Sequence, residues 1–301
     1  MKKNRSADPM LAGTLFIVLT AVLWSFLGLI SKYCMAHGMP PMHCAFWRCL
    51  FGFAAFFLHC AFTGLLSIPL LHILYLMLFG VWGIGVYYTC AQYTIMLVGA
   101  AMDIVLQYTA PVWVAIFARL LFRERLTPVK TVSMTIAAGG AVCVCLSGGS
   151  LPQAATTGAW VGIATGLVTG LCYASHYPFT RWWQTHYPTA VIFTWMLAGG
   201  TLALYVVTRY SLPLRVDFPM NVWLACAATG MLCTYLAFVC YGAALRRISL
   251  VQAVITSELE PVLSMLWVWL FFGECFSPIG WAGSALIILS VLILGLAGRQ
   301  K

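Results

Sequence analysis

The chain has 301 residues, 62% hydrophobic and only 8% charged, against roughly 45–50% and about 25% in a soluble globular domain. Sixteen Lys and Arg with seven Asp and Glu give a formal net charge of +9, too few charged side chains to clothe a surface in water. Lipid is therefore the solvent for most of the chain. That excludes a receptor with a soluble sensor, an ATP-driven pump with a cytoplasmic motor, and an enzyme held by a single membrane anchor.

A hydrocarbon core about 30 Å thick needs roughly 20 apolar residues per crossing, and such runs recur ten times. The predicted spans are 10–36, 40–64, 70–98, 100–122 and 128–146, then 158–179, 189–207, 221–244, 250–272 and 278–297. Breakers mark the short connections: Met39-Pro40-Pro41, Ser147-Gly148-Gly149, Tyr187-Pro188 and Phe218-Pro219. Nothing alternates over ten residues as an outer-membrane strand does. Lys2, Lys3 and Arg5 precede a first run much longer than the roughly 7–15 residues of a signal-peptide core, which predicts an uncleaved first helix. The expected fold is all-α: ten transmembrane helices.

With ten spans, the side of both termini collects Lys2, Lys3, Arg5, Arg119, Arg123, Arg125, Lys130, Arg181, Arg246, Arg247, Arg299 and Lys301. The other side holds Lys32, Arg48, Arg209 and Arg215. The positive-inside rule then makes both termini of this multi-pass protein cytoplasmic. The basic residues sit at helix ends and form no stripe, so a nucleic-acid partner is not expected. The twelve cysteines lie almost entirely in apolar runs, with no CxxC, and the six histidines form neither HxxxH nor HExxH. Buried thiols are the expectation, with no metal and no cofactor.

A shift of 150 residues superposes the halves. Cys90 falls on Cys240, Pro111 on Pro261, Phe122 on Phe272, Glu124 on Glu274 and Pro128 on Pro278; a shift of 149 brings Lys32 over Arg181. Each half, 10–147 and 155–297, holds five spans, an odd number, so the second enters the membrane upside down. Inverted-topology repeats are an architecture of secondary transporters, because two oppositely oriented copies can exchange conformations.

The phrase Ala110-Pro111-Val112 … Arg123-Glu124-Arg125-Leu126-Thr127-Pro128 returns as Glu260-Pro261-Val262 … Phe271-Phe272-Gly273-Glu274. These phrases, with Trp24 eight residues before Lys32 and Arg48 shortly after the Pro40-Pro41 opening, resemble the EamA repeat of the drug/metabolite transporter superfamily, present twice. The resemblance covers nearly the whole chain. It implies a ten-helix inner-membrane carrier, commonly an exporter of amino acids or related metabolites, and marks Glu260 as the family position. In the second repeat Tyr173 replaces the Trp, and His176-Tyr177-Pro178 interrupts the end of the first helix. A named substrate is therefore not carried over.

The residues themselves place a ligand site near the midplane. Pro111 and Pro261 lie near the middle of spans four and nine, where a proline frees the carbonyl four residues earlier, here that of Gln107 and of Ser257. Paired interrupted helices are the best sequence pointer to a transport site. Glu258 and Glu260 precede the second kink, about 12–15 Å deep at 1.5 Å per residue. Two residues apart, they point about 200° apart, so at most one faces a central cavity; both are candidates for coupling. Arg48 offers a fork for a carboxylate, or snorkels from about 12 Å below the outer face. Asp103 stands at a helix N-terminus. Tyr88 and Gln92 in span three, with Tyr235, Phe238 and Tyr241 in span eight, form aromatic faces; Trp24, Tyr173 and His176 complete the substrate-binding candidates. His176 is placed near the cytoplasmic end, where a solvated role competes.

The expected activity is secondary active transport of a small polar metabolite, an amino acid, an amine or a related compound, by alternating access. Export is the expected direction, proton-coupled or by exchange, from a monomer or weak dimer. A channel or embedded structural protein is the alternative. An intramembrane enzyme fits least, since Asp103 is the one aspartate within the spans and no nucleophile–base pair recurs.

Overall fold

The computed structural model describes residues 9–147, 157–211, 214–272 and 277–298. Among these the chain forms ten helical spans, labelled α1 to α10. They are α1 (Pro9–Ala36), α2 (Pro41–Phe62), α3 (Leu70–Gly80, Val81–Val86 and Tyr87–Val98 in continuity), α4 (Ala100–Gln107 and Ala110–Phe122) and α5 (Pro128–Ser147). Then follow α6 (Thr157–Trp183), α7 (Thr189–Ser211), α8 (Met220–Ala228, Thr229–Leu236 and Ala237–Leu245 in continuity), α9 (Leu250–Ser257 and Leu259–Phe272) and α10 (Pro278–Gly298). Nine are long and apolar enough to cross a bilayer, and α5 has a shorter apolar helix over Pro128–Val144. Glu274, the Gly148-Gly149 connection and the terminal charges Lys2, Lys3, Arg5, Arg299 and Lys301 lie outside the described residues.

The packing is that of two inverted five-helix repeats. Helix α1 lies along α8 and α9, while α6 lies along α3 and α4; α3 crosses α7, while α2 crosses α8. Exchanging the repeats turns each of these contacts into its mate, and leaves the α2–α7 and α5–α10 pairs unchanged. Van der Waals packing, not hydrophobic exclusion, must hold helices together in lipid, so small residues mark the closest crossings. A Cβ on Gly80 would collide with the Met196 carbonyl of α7, and one on Gly200 would sit 2.6 Å from Ile84 of α3. The mate of this crossing joins α2 to α8: a Cβ on Gly230 would sit 3.1 Å from the Arg48 carbonyl, and one on Gly52 2.6 Å from Thr234. Gly162, Gly166 and Gly170 form the face of α6 on which Leu97, Val98 and Leu106 rest.

At these crossings both α3 and α8 widen into π-helix, over Val81–Val86 and Thr229–Leu236. A π turn changes the angular step of the residues within it and recurs at functional sites. The prolines also behave differently from the expected mid-helix kinks. Helix α4 stops at Gln107 and restarts at Ala110 with Pro111 in its first turn; α9 stops at Ser257 and restarts at Leu259, ahead of Pro261. A proline in the first turn removes an amide that would have no intrahelical partner in any case, so it starts a half-helix instead of straining a whole one. His176-Tyr177-Pro178 does not end α6 either, for the helix runs through Pro178 to Trp183.

These crossings give a direct expectation. Gly80→Ala places a carbon against backbone and should cost at least the 1–3 kcal/mol typical of overpacking. Gly28→Ala meets nothing within 4 Å and should stabilise by up to about 1 kcal/mol through helix propensity. Unfolding midpoints of the two purified variants in detergent should therefore move in opposite directions.

Candidate functional site

A cavity lies between the repeats, beside both π turns and both helix breaks. It offers about 90 Å³ to the centre of a water-sized sphere, room for several waters at roughly 10–15 Å³ each. Eight helices contribute: Trp24 and Leu27 of α1, Arg48 and Cys49 of α2, Gly83, Ile84, Tyr87 and Tyr88 of α3, and Gln107 of α4. From the second repeat come Tyr173, His176 and Tyr177 of α6, Leu197 of α7, Cys233, Thr234, Phe238 and Tyr241 of α8, and Glu260 of α9.

Trp24 is the hub of an aromatic wall. Its ring centroid lies 6.2 Å from Tyr173, 5.9 Å from Phe238 and 5.8 Å from Tyr241. Edge-to-face contacts of this kind favour one arrangement of the rings beyond the area they bury. Tyr173 and Tyr177 stack their hydroxyls 3.4 Å apart, and Tyr177 lies 2.8 Å from the Ser257 hydroxyl. Ser257 donates to the Val254 carbonyl at 2.8 Å, so Tyr177 is the donor to Ser257. This chain ties the wall to the break in α9. At the break in α4, Tyr87 donates to the Gln107 amide oxygen at 3.0 Å. Gly170 leaves open the space beside the Leu106 and Gln107 carbonyls, which a Cβ would reach at 2.7 and 3.4 Å.

Two charged side chains enter this aromatic setting. The Arg48 guanidinium lies 4.8 Å from the Tyr88 ring centroid, a cation–π contact, and its Nε is buried without a hydrogen-bond partner. Glu260 lines the same cavity. His176 donates to the Gly83 carbonyl through Nε2 at 2.8 Å, meeting the opened backbone of the α3 π turn.

The expected site residues divide accordingly. Trp24, Arg48, Tyr88, Gln107, Tyr173, His176, Phe238, Tyr241 and Glu260 line the cavity. Arg48 therefore does not snorkel, and His176 is an interior residue. Gln92, Asp103, Tyr235, Ser257 and Glu258 do not line it. Gln92 is one turn beyond Tyr88, where α6 covers α3 through Thr165 and Thr94. Tyr235 belongs to the π turn, whose altered step takes it off the face of Phe238 and Tyr241; it bonds His59 Nδ1 at 2.8 Å and packs on Phe56. Ser257 supports Tyr177 from behind. Glu258, at the break and 1% exposed, has an unpartnered buried oxygen, as does Asp103. Tyr177 was not among the expected residues, although its place one turn after Tyr173 was a signal; Cys49, Leu197 and Cys233 carried none.

Side chains from both repeats also hold the α8–α9 connection by its backbone. Arg181 of α6 donates to the carbonyls of Leu245 and Ile248. Glu124 accepts from the Leu250 amide at 3.3 Å while pairing with Lys130 at 2.6 Å.

The EamA-like transporter family profile matches residues 11–146 and again 160–296. The chain belongs to the EamA-like transporter family. This EamA-like transporter is similar to a probable terminal-alkyne amino-acid exporter of Streptantibioticus cattleyicolor, 24% identical over 194 residues, 64% of this chain and 63% of that protein. The match thus spans less than two thirds of the exporter's length. An uncharacterized transporter of Archaeoglobus fulgidus is 28% identical over 283 residues, 93% of this chain and 95% of the relative. A solved structure titled only as the crystal structure of a protein superposes with a TM-score of 0.82 at 20% identity, covering 96% of this chain and 98% of the other. The molecule is a multi-pass membrane protein of this transporter family.

Proposed function

We propose that this EamA-like transporter exports a small zwitterionic or amine-bearing metabolite, an amino acid or close relative, across the cytoplasmic membrane. One observation carries the reading. An Arg48 donor without a partner and the Glu260 carboxylate face a single aromatic-walled cavity between the repeats. A guanidinium fork suits a substrate carboxylate, a glutamate suits an ammonium, and the rings beside them suit an apolar side chain and a cation. The name of the Streptantibioticus cattleyicolor relative points to the same substrate class. The repeats 10–147 and 155–297 act as the two bodies of an alternating-access cycle, without cofactor or nucleotide, in a monomer or weak dimer.

Counterflow of labelled amino acids and amines into proteoliposomes tests this. Arg48→Gln removes a charge-assisted bond of about 1.5–3 kcal/mol and should weaken apparent substrate affinity by roughly tenfold or more. Gln92→Ala, outside the cavity, should leave it unchanged. Equal effects of the two, or no saturable counterflow of any zwitterion or amine, would refute the assignment.

A carboxylate that holds either a substrate ammonium or a proton, but not both, links the binding of one to the release of the other. That Glu260 lines the cavity supports this role, and Glu258, buried at the α9 break, is the second candidate. Glu260→Gln should abolish the dependence of net flux on external pH while exchange of bound substrate persists. Unchanged pH dependence would make Glu260 a structural charge and leave Glu258 to be tested.

We place both termini in the cytoplasm from the loop charges. Reporter fusions after Lys130 should then report cytoplasmic and fusions after Leu151 external; the same side for both is the outcome that contradicts the arrangement.

A further inference from the structure

Residues 34–44 read Cys34, Met35, His37, Met39, Met42, His43, Cys44 with four other residues between them. Seven of eleven side chains in this corner between α1 and α2 carry sulfur or imidazole, the donors that soft metal ions select. Spacing alone pointed to no site, because these donors fit no zinc pattern. In space they are completed by a residue of the other repeat.

Helix α1 ends in a turn that folds the chain back on itself. Gly38 adopts φ +84°, and the Met39 amide donates to the Cys34 carbonyl at 3.2 Å. This six-residue closure, with glycine in the left-handed position, sets the side chain after the glycine against the last turn of the helix. Met39 is thereby brought to Cys34. The Cys226 thiol of α8 then arrives from the second repeat: its sulfur is 3.9 Å from Cys34 Sγ and 3.4 Å from Met39 Sδ. All three residues are 1% exposed. A helix cap explains Met39 beside Cys34; it does not call for a thiol on α8 aimed at both.

We propose that Cys34, Met39 and Cys226 form a binding site for a soft monovalent cation of the Cu(I) type. Two sulfurs on one ion at about 2.3 Å, in trigonal arrangement, lie about 4 Å apart, matching the Cys34–Cys226 separation without movement of the backbone. A divalent ion such as zinc takes four donors, almost always thiolate, imidazole or carboxylate. Among the described residues no three His, Cys, Asp or Glu side chains converge as a metal-ion site; the third donor here is a thioether, which favours a soft ion. The surroundings are Phe218, Val222, Trp47 and Trp223, an apolar shell that keeps competing water ligands away. Both cysteines bind as thiolates, so two protons leave for each ion bound, and the thioether adds no charge. Met35 and His37 stand exposed at the same corner, as first contacts for an entering ion.

The test is titration of the purified full-length protein with Cu(I) under anaerobic conditions, in competition with a chromophoric Cu(I) chelator. One equivalent should be retained, with an all-sulfur shell in X-ray absorption and a raised unfolding midpoint by mass action. Cys34→Ala with Cys226→Ala should lose it. Met39→Leu, which conserves volume, should keep the unfolding midpoint of the metal-free protein and weaken retention at least tenfold. Replacing the remote buried thiols Cys172 and Cys240 with Ala should leave it intact. Unchanged retention in Met39→Leu, or equal loss in the remote pair, would overturn the site, whatever the folding of the double cysteine variant. So would a Cys34–Cys226 disulfide formed in air by protein that retains no Cu(I) anaerobically. None of these measurements depends on transport.

Discussion

Hydrocarbon offers no hydrogen bonds, so each unwound carbonyl within the bilayer must find a partner in protein, water or ligand. The transporter departs from regular α-helix at four interior places: the π turns of α3 and α8 and the breaks of α4 and α9. All four border one cavity. His176 donates to the Gly83 carbonyl, while Tyr87 and Tyr177 bond the side-chain oxygens of Gln107 and Ser257 at the two breaks. Polar side chains that a lipid-facing helix could not carry are thus gathered beside the interrupted backbone. The same constraint that forbids open backbone elsewhere makes this the place where a polar ligand finds polar groups.

The cavity is symmetric by position and asymmetric by chemistry. Trp24 and Tyr173 occupy equivalent places in the two repeats and touch each other, so the pseudo-two-fold axis passes through the site. Ile84 and Thr234, Gly83 and Cys233, Tyr88 and Phe238, and Leu27 and His176 are likewise equivalent pairs that line it together. Arg48, however, has Met196 as its counterpart, which does not line the cavity, and the counterpart of Glu260 is Ala110. Duplication supplied the shape; divergence at a few paired positions placed one cation and one anion in it. A symmetric set would have put like charges opposite one another.

The helical spans were legible because period, length and breakers all report on local chain properties. The repeat was legible because Pro111/Pro261 and Glu124/Glu274 keep a fixed spacing. Nine of the residues expected at the site line the cavity, since aromatics and charges within apolar runs are conspicuous. What was not legible depends on tertiary arrangement. Tyr235 and Gln92 were placed by a regular helical step, and a π turn with a close α6 crossing defeats that step. The prolines were read as kinks because a sequence does not show whether a helix bends at a proline or stops before it. Cys49, Leu197 and Cys233 are ordinary apolar residues in their own helices and become wall residues only through the crossings made at Gly52, Gly200 and Gly230.

Those crossings also bear on how the two halves could move. At Gly80 and Gly199 a side chain would meet only backbone across the helices, leaving no side chain to repack, so these crossings act as fixed points instead of sliding surfaces. The ends away from them are held differently. Arg181 reaches two carbonyls of the α8–α9 connection, and the Glu124 carboxylate takes the Leu250 amide there. Both are single side chains on backbone groups at a helix terminus, where water can replace either partner. Contacts of that kind can open at modest cost, whereas a glycine-to-backbone crossing cannot. The equivalent of Arg181 in the first repeat is Lys32, a point charge on a flexible stem instead of a planar fork with five donors. Equivalent positions at the two ends of the bundle therefore carry unlike groups. On the proposed cycle, that inequality would favour closure on the Arg181 side in the empty protein, and substrate bound between Arg48 and Glu260 would have to supply the free energy for opening it.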